Sequence, residues 1–200
     1  MTEAIVRHRY TEISDAYIQM FGAVAHVDPD DLQFLTRNFG QCDGPILDVG
    51  CGPGHLTGHL ATLGLQSTGI DLVPEFVENA RAHWPEIEFA VGSMRDLDVP
   101  DGSLGGILAW YSLIHYQPAE LPEILSGFRT ALDHNGILVV GFFEGEHVEP
   151  FAHKVTTAYR WPADEMSEML SAAGFGEVDR LQRPGADDVR PHAALALRAR

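Results

Sequence analysis

Pro45-Ile46-Leu47-Asp48-Val49 is a short apolar run that breaks into glycine at Gly50, Gly52 and Gly54. A run this short, apolar on both faces and stopped by glycines, reads as a strand buried inside a parallel sheet. The chain then alternates. A helix is predicted from about His55 to Leu63, closed by Gly64. A strand follows from Ser67 to Ile70, ending at Asp71, and Pro74 opens a helix to about His83 that Trp84-Pro85 stops. Further strands are expected over Ile87–Val91 and Ile107–Tyr111. A helix from about Pro118 to Leu132 then leads through the Asn135-Gly136 turn into the strongly apolar strand Ile137–Phe143. Strands and helices alternating at this spacing give an α/β fold: a doubly wound, mostly parallel sheet.

The two ends read differently. Ile5, Tyr10, Ile13, Tyr17, Ile18 and Phe21 recur at helical steps, and Asp28-Pro29 starts a second helix with Leu32, Leu35 and Phe39 on one face. After Gly145 a less regular stretch runs to Arg160, followed by a helix from about Pro162 to Ala173. Phe175–Leu181 and Ala193–Leu197 read as two final strands across the turn Pro184–Asp188, which is too short to join anything but antiparallel neighbours. The expectation is one domain over residues 1–200, with a helical cap at 1–40, a core at 45–200 and a short insertion at about 145–160.

A formal net charge of −16 argues against nucleic acid and anionic membranes as partners, because tracking a phosphate surface needs a cationic footprint. No apolar run is long enough for a membrane span, and Met1 to Arg9 carries too many charged residues for a secretory signal. With only Cys42 and Cys51, a structural disulfide is not expected and the cytoplasm is the default compartment. The oligomeric state is left open.

The chemistry centres on Gly50-Cys51-Gly52-Pro53-Gly54. Glycines there let a ligand approach the backbone, and amides at a helix start favour a carboxylate or phosphate. Asp71, about twenty residues on and at the tip of the second strand, is placed to accept hydrogen bonds from two ribose hydroxyls. A nucleoside-containing cofactor explains both features. A dinucleotide fingerprint would want glycine at position 55, where the chain has His55. His55 and His59 have the one-turn spacing of metal ligands, but no third ligand follows in a recognisable pattern and no metal is expected.

Ile46-Leu47-Asp48-Val49-Gly50-Cys51-Gly52-Pro53-Gly54 resembles the first motif of the class I S-adenosylmethionine-dependent methyltransferases almost letter for letter. Gly69-Ile70-Asp71-Leu72, Trp110 to His115 and Leu132 to Leu138 resemble the later motifs in order and spacing, over roughly residues 40 to 180. The resemblance implies a seven-stranded sheet in the order 3-2-1-4-5-7-6 with an antiparallel seventh strand, which agrees with the hairpin read independently at the C-terminus. It implies S-adenosylmethionine as cofactor and S-adenosylhomocysteine as product. By position, Asp48, Gly50, Cys51 and Gly52 would hold the methionine portion. Asp71 and Leu72 would meet the ribose and adenine, Gly92, Ser93 and Met94 would bracket the adenine, and Trp110 and Tyr111 would line the methionine side. Ser93 departs from the aspartate often found there. Gly105 and Gly106 stand where an aspartate often precedes the fourth strand, a change expected to affect packing more than chemistry.

His115, just past the fourth strand, is the candidate general base, needed only if the acceptor holds its proton. Tyr10 and Tyr17 lie seven residues apart on one helical face; they read as core packing or as a lid whose phenols touch cofactor or acceptor. Arg7, Arg9, His153, Lys154, Arg160, Arg183, Arg190 and His192 fall on segments expected to overhang the C-terminal edge of the sheet, where ligands of such folds bind. Scattered surface pairs would account for them; an anionic acceptor met by Arg160 and Arg190 is the alternative. The leading expectation is methyl transfer to a small-molecule acceptor. A non-catalytic cofactor-binding relative and an NAD-dependent oxidoreductase are the competing classes, the latter disfavoured by His55 and the final hairpin.

Overall fold

The computed structural model describes residues 2–186 and 189–200. The predicted turn Pro184–Asp188 therefore lies partly outside the described residues; Ala186 within it and Val189 just past it form an antiparallel bridge.

Seven strands form the central sheet: β1 Ile46–Val49, β2 Ser67–Asp71, β3 Phe89–Val91, β4 Leu104–Trp110, β5 Leu132–Phe143, β8 Phe175–Arg183 and β9 His192–Ala199. Their order is β3-β2-β1-β4-β5-β9-β8. β1 pairs in parallel with β2 and β4, and β9 runs antiparallel to both β5 and β8. The expected topology, reversed strand included, is the one observed. Every residue of β1 is buried, as its unbroken apolar run requires.

Helices cover both faces. α3 Pro29–Phe39 and α4 His55–Thr62 pack on one, with Phe34, Leu35, Phe39 and Leu60 against Ile46, Leu108 and Val139. α6 Leu121–Ala131 and α7 Ala163–Ala172 pack on the other, with Leu125, Phe128 and Leu170 against Leu138, Val140 and Leu195. Each fully buried side chain of this size contributes roughly 1.5–3 kcal/mol. α5 Pro74–His83 sits over β2 and β3. A β-carbon at Gly105 would lie 2.0 Å from the Asp43 carbonyl oxygen and one at Gly106 2.9 Å from Phe39, so these glycines answer to packing.

Two expectations need correction. The N-terminal stripe is not one helix: it breaks at Ile13 into α1 Thr2–Glu12 and α2 Ser14–Phe21. A seven-residue spacing of tyrosines fits one helix or two. The stretch after Gly145 is not irregular either. It holds an antiparallel pair, β6 Glu149–Ala152 with β7 Thr157–Arg160. Pro150 and a largely exposed face hide these strands from a hydrophobic pattern. No helix among the described residues is long and apolar enough to cross a membrane.

Candidate active site

The chain leaves β1 and turns through Gly50 (φ 75°), Gly52 (φ 55°) and Gly54 (φ 83°) into α4. These are left-handed angles that only glycine adopts without steric cost. Gly50 and Cys51 N–H donate to the Ile70 carbonyl at 2.8 and 3.0 Å, tying the turn to β2. Gly52 N–H donates to Asp71 Oδ2 at 2.8 Å, and Val73 N–H donates to Oδ1 at 2.9 Å. Asp71 thus stands beside the glycine turn, buried, with its carboxyl pushed up to about 6 by burial. Each oxygen keeps a lone pair beyond the amide it already accepts.

Gly50 and Gly52 are glycine for different reasons. A β-carbon at Gly50 would lie 2.5 Å from Ser112 Cβ; at Gly52 it would meet nothing within 4 Å. The first position is closed by the protein, and the second faces open space that a ligand can enter. Ser112 Oγ, 3.3 Å from the Gly50 β-position, is buried with no hydrogen-bond partner among the described residues. Leaving a hydroxyl so costs about 1–3 kcal/mol, which a polar ligand group at the turn would recover. Met94, 3.6 Å from the same position, adds an apolar wall.

The other expected cofactor residues sit around this turn with different partners. Asp48 accepts from Thr57 Oγ1 at 2.7 Å, fastening α4 to β1, and complete burial pushes its carboxyl up to about 7. The Cys51 side chain packs with Val77, Ala80 and Phe89, and burial pushes the thiol up, so only its backbone faces the turn. Leu72 is half-buried beyond Asp71. Gly92 N–H donates to the Asp71 carbonyl at 3.0 Å, while Ser93 donates to Glu3. Trp110 packs on Gly141 and with the residues under α3. Tyr111, at φ 54°, turns its hydroxyl to His192 Nδ1. At the tip of β4 it is Ser112 that meets the glycine turn. Ser112 lies inside the Trp110 to His115 segment, where a small hydroxyl at a strand tip opposite a glycine is the signal in the sequence.

α1 and α2 lie across the same strand tips. The Tyr10 ring meets Tyr17, Phe76 and His115 at centroid distances of 5.3, 6.0 and 5.6 Å. Burial raises both phenols, Tyr17 to about 12, with the Asp71 charge adding to each. Glu3 ties α1 down by accepting from Ser93 and, at 2.8 Å, from the Tyr116 hydroxyl. Thr11 donates to Glu75 at 3.1 Å. Tyr10 and Tyr17 are therefore packed together, with Tyr10 also hydrogen-bonded to His115.

His115 is 6% exposed and held from two sides. Its Nδ1 lies 2.9 Å from the Thr157 carbonyl, which can only accept, so Nδ1 carries the proton. Nε2 is left with its lone pair, 3.0 Å from the Tyr10 hydroxyl that donates to it. Burial lowers the pKa of this imidazole, which keeps it neutral. A cleft of about 230 Å³, walled by Thr2, Ile5 and Val6 on one side and Thr157 and Tyr159 on the other, opens onto His115.

The two expected substrate arginines differ. Arg160 Nε lies 2.9 Å from Glu149 Oε1, close enough to offset its charge but without hydrogen-bond alignment. Arg190 lies over the rings of Phe143 and Phe151, 5.8 and 5.2 Å from their centroids. Arg183 is held by Asp28 and by Asp31, the latter at 2.7 Å. His55 is half-buried with Nδ1 unpartnered among the described residues, and His59 lies 3.5 Å from Thr36 Oγ1.

Known proteins resemble this chain in sequence and in fold. Residues 46–136 match the family model described as a methyltransferase domain. An uncharacterized methyltransferase of Synechocystis is 30% identical over 166 residues, covering 74% of this chain and 72% of that protein. An O-methyltransferase of Penicillium expansum is 29% identical over 199 residues, covering 85% and 71%. Among solved structures, the Burkholderia thailandensis 1,6-didemethyltoxoflavin-N1-methyltransferase, crystallised with 1,6-didemethyltoxoflavin and S-adenosylhomocysteine, superposes with a TM-score of 0.82. That match has 22% identity and covers 98% of this chain and 88% of that one. At this identity it speaks for the fold.

Proposed function

This chain belongs to the methyltransferase family, and from that premise we propose that it moves the methyl group of S-adenosylmethionine onto a small-molecule acceptor at the tips of β1, β2 and β4. One observation carries the assignment of the cofactor: Gly52 faces open space beside a buried carboxylate, Asp71, and a buried unpartnered hydroxyl, Ser112. Ribose hydroxyls suit the free lone pairs of Asp71, and the charged amino-acid end of the cofactor suits the turn amides and Ser112. Met94 and Ser93 fit the adenine side. When bound, the cofactor supplies a sulfonium methyl that is already activated for transfer. The chain's own work is to align and enclose. Tyr10, Tyr17 and Glu3 hold the lid across the strand tips and exclude water. His115 takes a proton at Nε2 from the Tyr10 hydroxyl as that hydroxyl takes one from an acceptor that carries it, and the Thr157 carbonyl keeps the ring oriented.

The same proposal has one catalytic domain, with the cap over residues 2–39 serving as its lid. The acidity of the chain supports a small acceptor over a nucleic acid, and the free Cys42 and Cys51 support a cytoplasmic setting. Thermal unfolding with added nucleosides tests the reading. S-Adenosylhomocysteine at roughly a hundred times its Kd is expected to raise Tm by about 8 °C, and NAD to leave it unchanged. A shift with NAD alone would turn the assignment to an oxidoreductase. A shift with S-adenosylhomocysteine but no turnover on any acceptor would leave a binding protein.

A further inference from the structure

Methyl transfer needs an acceptor site beside the glycine turn, and where β4 and β5 end the structure gathers a cluster of aromatic side chains. Tyr111 and Ser112 are neighbours in the chain, yet the left-handed Tyr111 sends their side chains apart, Ser112 to Gly50 and Tyr111 to a group of rings. Phe143 is the hub. Its centroid lies 5.1 Å from Tyr111, 5.3 Å from Phe151, 5.8 Å from His153 and 5.4 Å from His192. His153 in turn lies 5.4 Å from His115, so the rings run unbroken to the candidate base. None is fully buried. Five half-buried rings, at the ends of β4, β5 and β9 and on and just past β6, present π faces and ring edges at this edge.

Resting on the methyltransferase reading above, we infer that Tyr111, Phe143, Phe151, His153 and His192, with Arg190 over them, bind the acceptor, and that the acceptor is a planar aromatic carboxylate. The rings select a flat apolar body. Of the neighbouring arginines two are already compensated, Arg183 by Asp28 and Asp31 and Arg160 by Glu149; Arg190 is the cation that lies over the rings, with Lys154 beside His153. Arg190 has no carboxylate partner among the described residues, and its guanidinium carbon lies over the Phe143 and Phe151 rings, 5.8 and 5.2 Å from their centroids, a cation–π placement that holds the charge beside the cluster. The imidazoles add no competing charge. Burial lowers His153 and His192 to about 4, so both are neutral at pH 7.

The test is a titration of protein saturated with S-adenosylhomocysteine against three probes: 3-hydroxybenzoate, phenol without the charge, and cyclohexanecarboxylate without the ring. 3-Hydroxybenzoate is expected to bind about fivefold more tightly than either of the others, the modest gain that an exposed ion pair allows. Arg190→Met should erase its advantage over phenol, and Arg190→Lys should restore part of it. Phe151→Leu should erase its advantage over cyclohexanecarboxylate. Equal binding of the three probes, no binding of 3-hydroxybenzoate, or an Arg190→Met variant that discriminates as well as the parent would overturn the inference while leaving the cofactor reading intact. Failure of S-adenosylhomocysteine to bind in the first place would remove both.

Discussion

Gly50 and Gly52 are two residues apart, share the left-handed backbone, and answer to different demands. Alanine at Gly50 would drive its methyl into Ser112, so that variant reports packing. Alanine at Gly52 costs only the backbone, about 1–2 kcal/mol, because nothing of the protein lies within 4 Å. Gly52→Ala is therefore expected to fold, with a Tm a few degrees lower, and to lose the thermal shift given by S-adenosylhomocysteine. A variant that keeps the full shift would show that the open space is not the cofactor's. His115 makes a prediction of the opposite kind, in pH. A base must be neutral to work, and burial lowers this imidazole below its ordinary 6.5. The rate should hold as pH falls through 6.5 and decline only at lower pH; a kcat/KM profile whose acid limb sits at or above 6.5 would contradict the assignment. Most of this detail was open to sequence reading only in part. The glycines and Asp71 announce themselves by spacing. That Asp48 spends its carboxylate on Thr57, and that Ser112 rather than Trp110 meets the turn, depends on which way each side chain leaves its strand.

Elements were legible wherever burial wrote a period into the chain. Helices that glycine and proline punctuate separate β1 from β2, β2 from β3 and β4 from β5, and the reversed β9 follows from a turn too short for a crossover. The misses are elements that bury little. α1 has no buried residue, and β6 and β7 expose much of one face, so neither the break at Ile13 nor the hairpin left a hydrophobic trace. The weak burial of α1 has a functional consequence. Beside the ring contacts of Tyr10, its hold on the core is polar, through Glu3 to Ser93 and Tyr116 and through Tyr10 to His115. Glu3→Ala should loosen it, since losing hydrogen bonds to a charged group costs about 1.5–3 kcal/mol. Hydrogen exchange over Thr2–Phe21 is expected to speed up by tenfold or more while β1, β4 and β5 stay protected. Equal protection in parent and variant would mean that packing alone holds the lid.

At the scale of the whole molecule one feature stands apart, a net charge of −16. Like charges spread over 200 residues repel and weaken the folded state, and salt screens that repulsion within about 10 Å at 0.1 M. Raising sodium chloride from 10 to 500 mM is expected to lift Tm by about 3 °C, equivalent to about 1 kcal/mol in a domain of this size. A falling Tm would mean that surface ion pairs such as Arg180 with Asp164 outweigh the repulsion. The account as a whole stands on the grip of the glycine turn and Asp71 on one adenosyl nucleoside. Calorimetric titration of S-adenosylhomocysteine into the intact protein tests that grip most directly. A saturable heat at one site per chain, weakened by about 2 kcal/mol in Asp71→Ala, is the predicted result; no heat, or the same affinity with Asp71 removed, would contradict it.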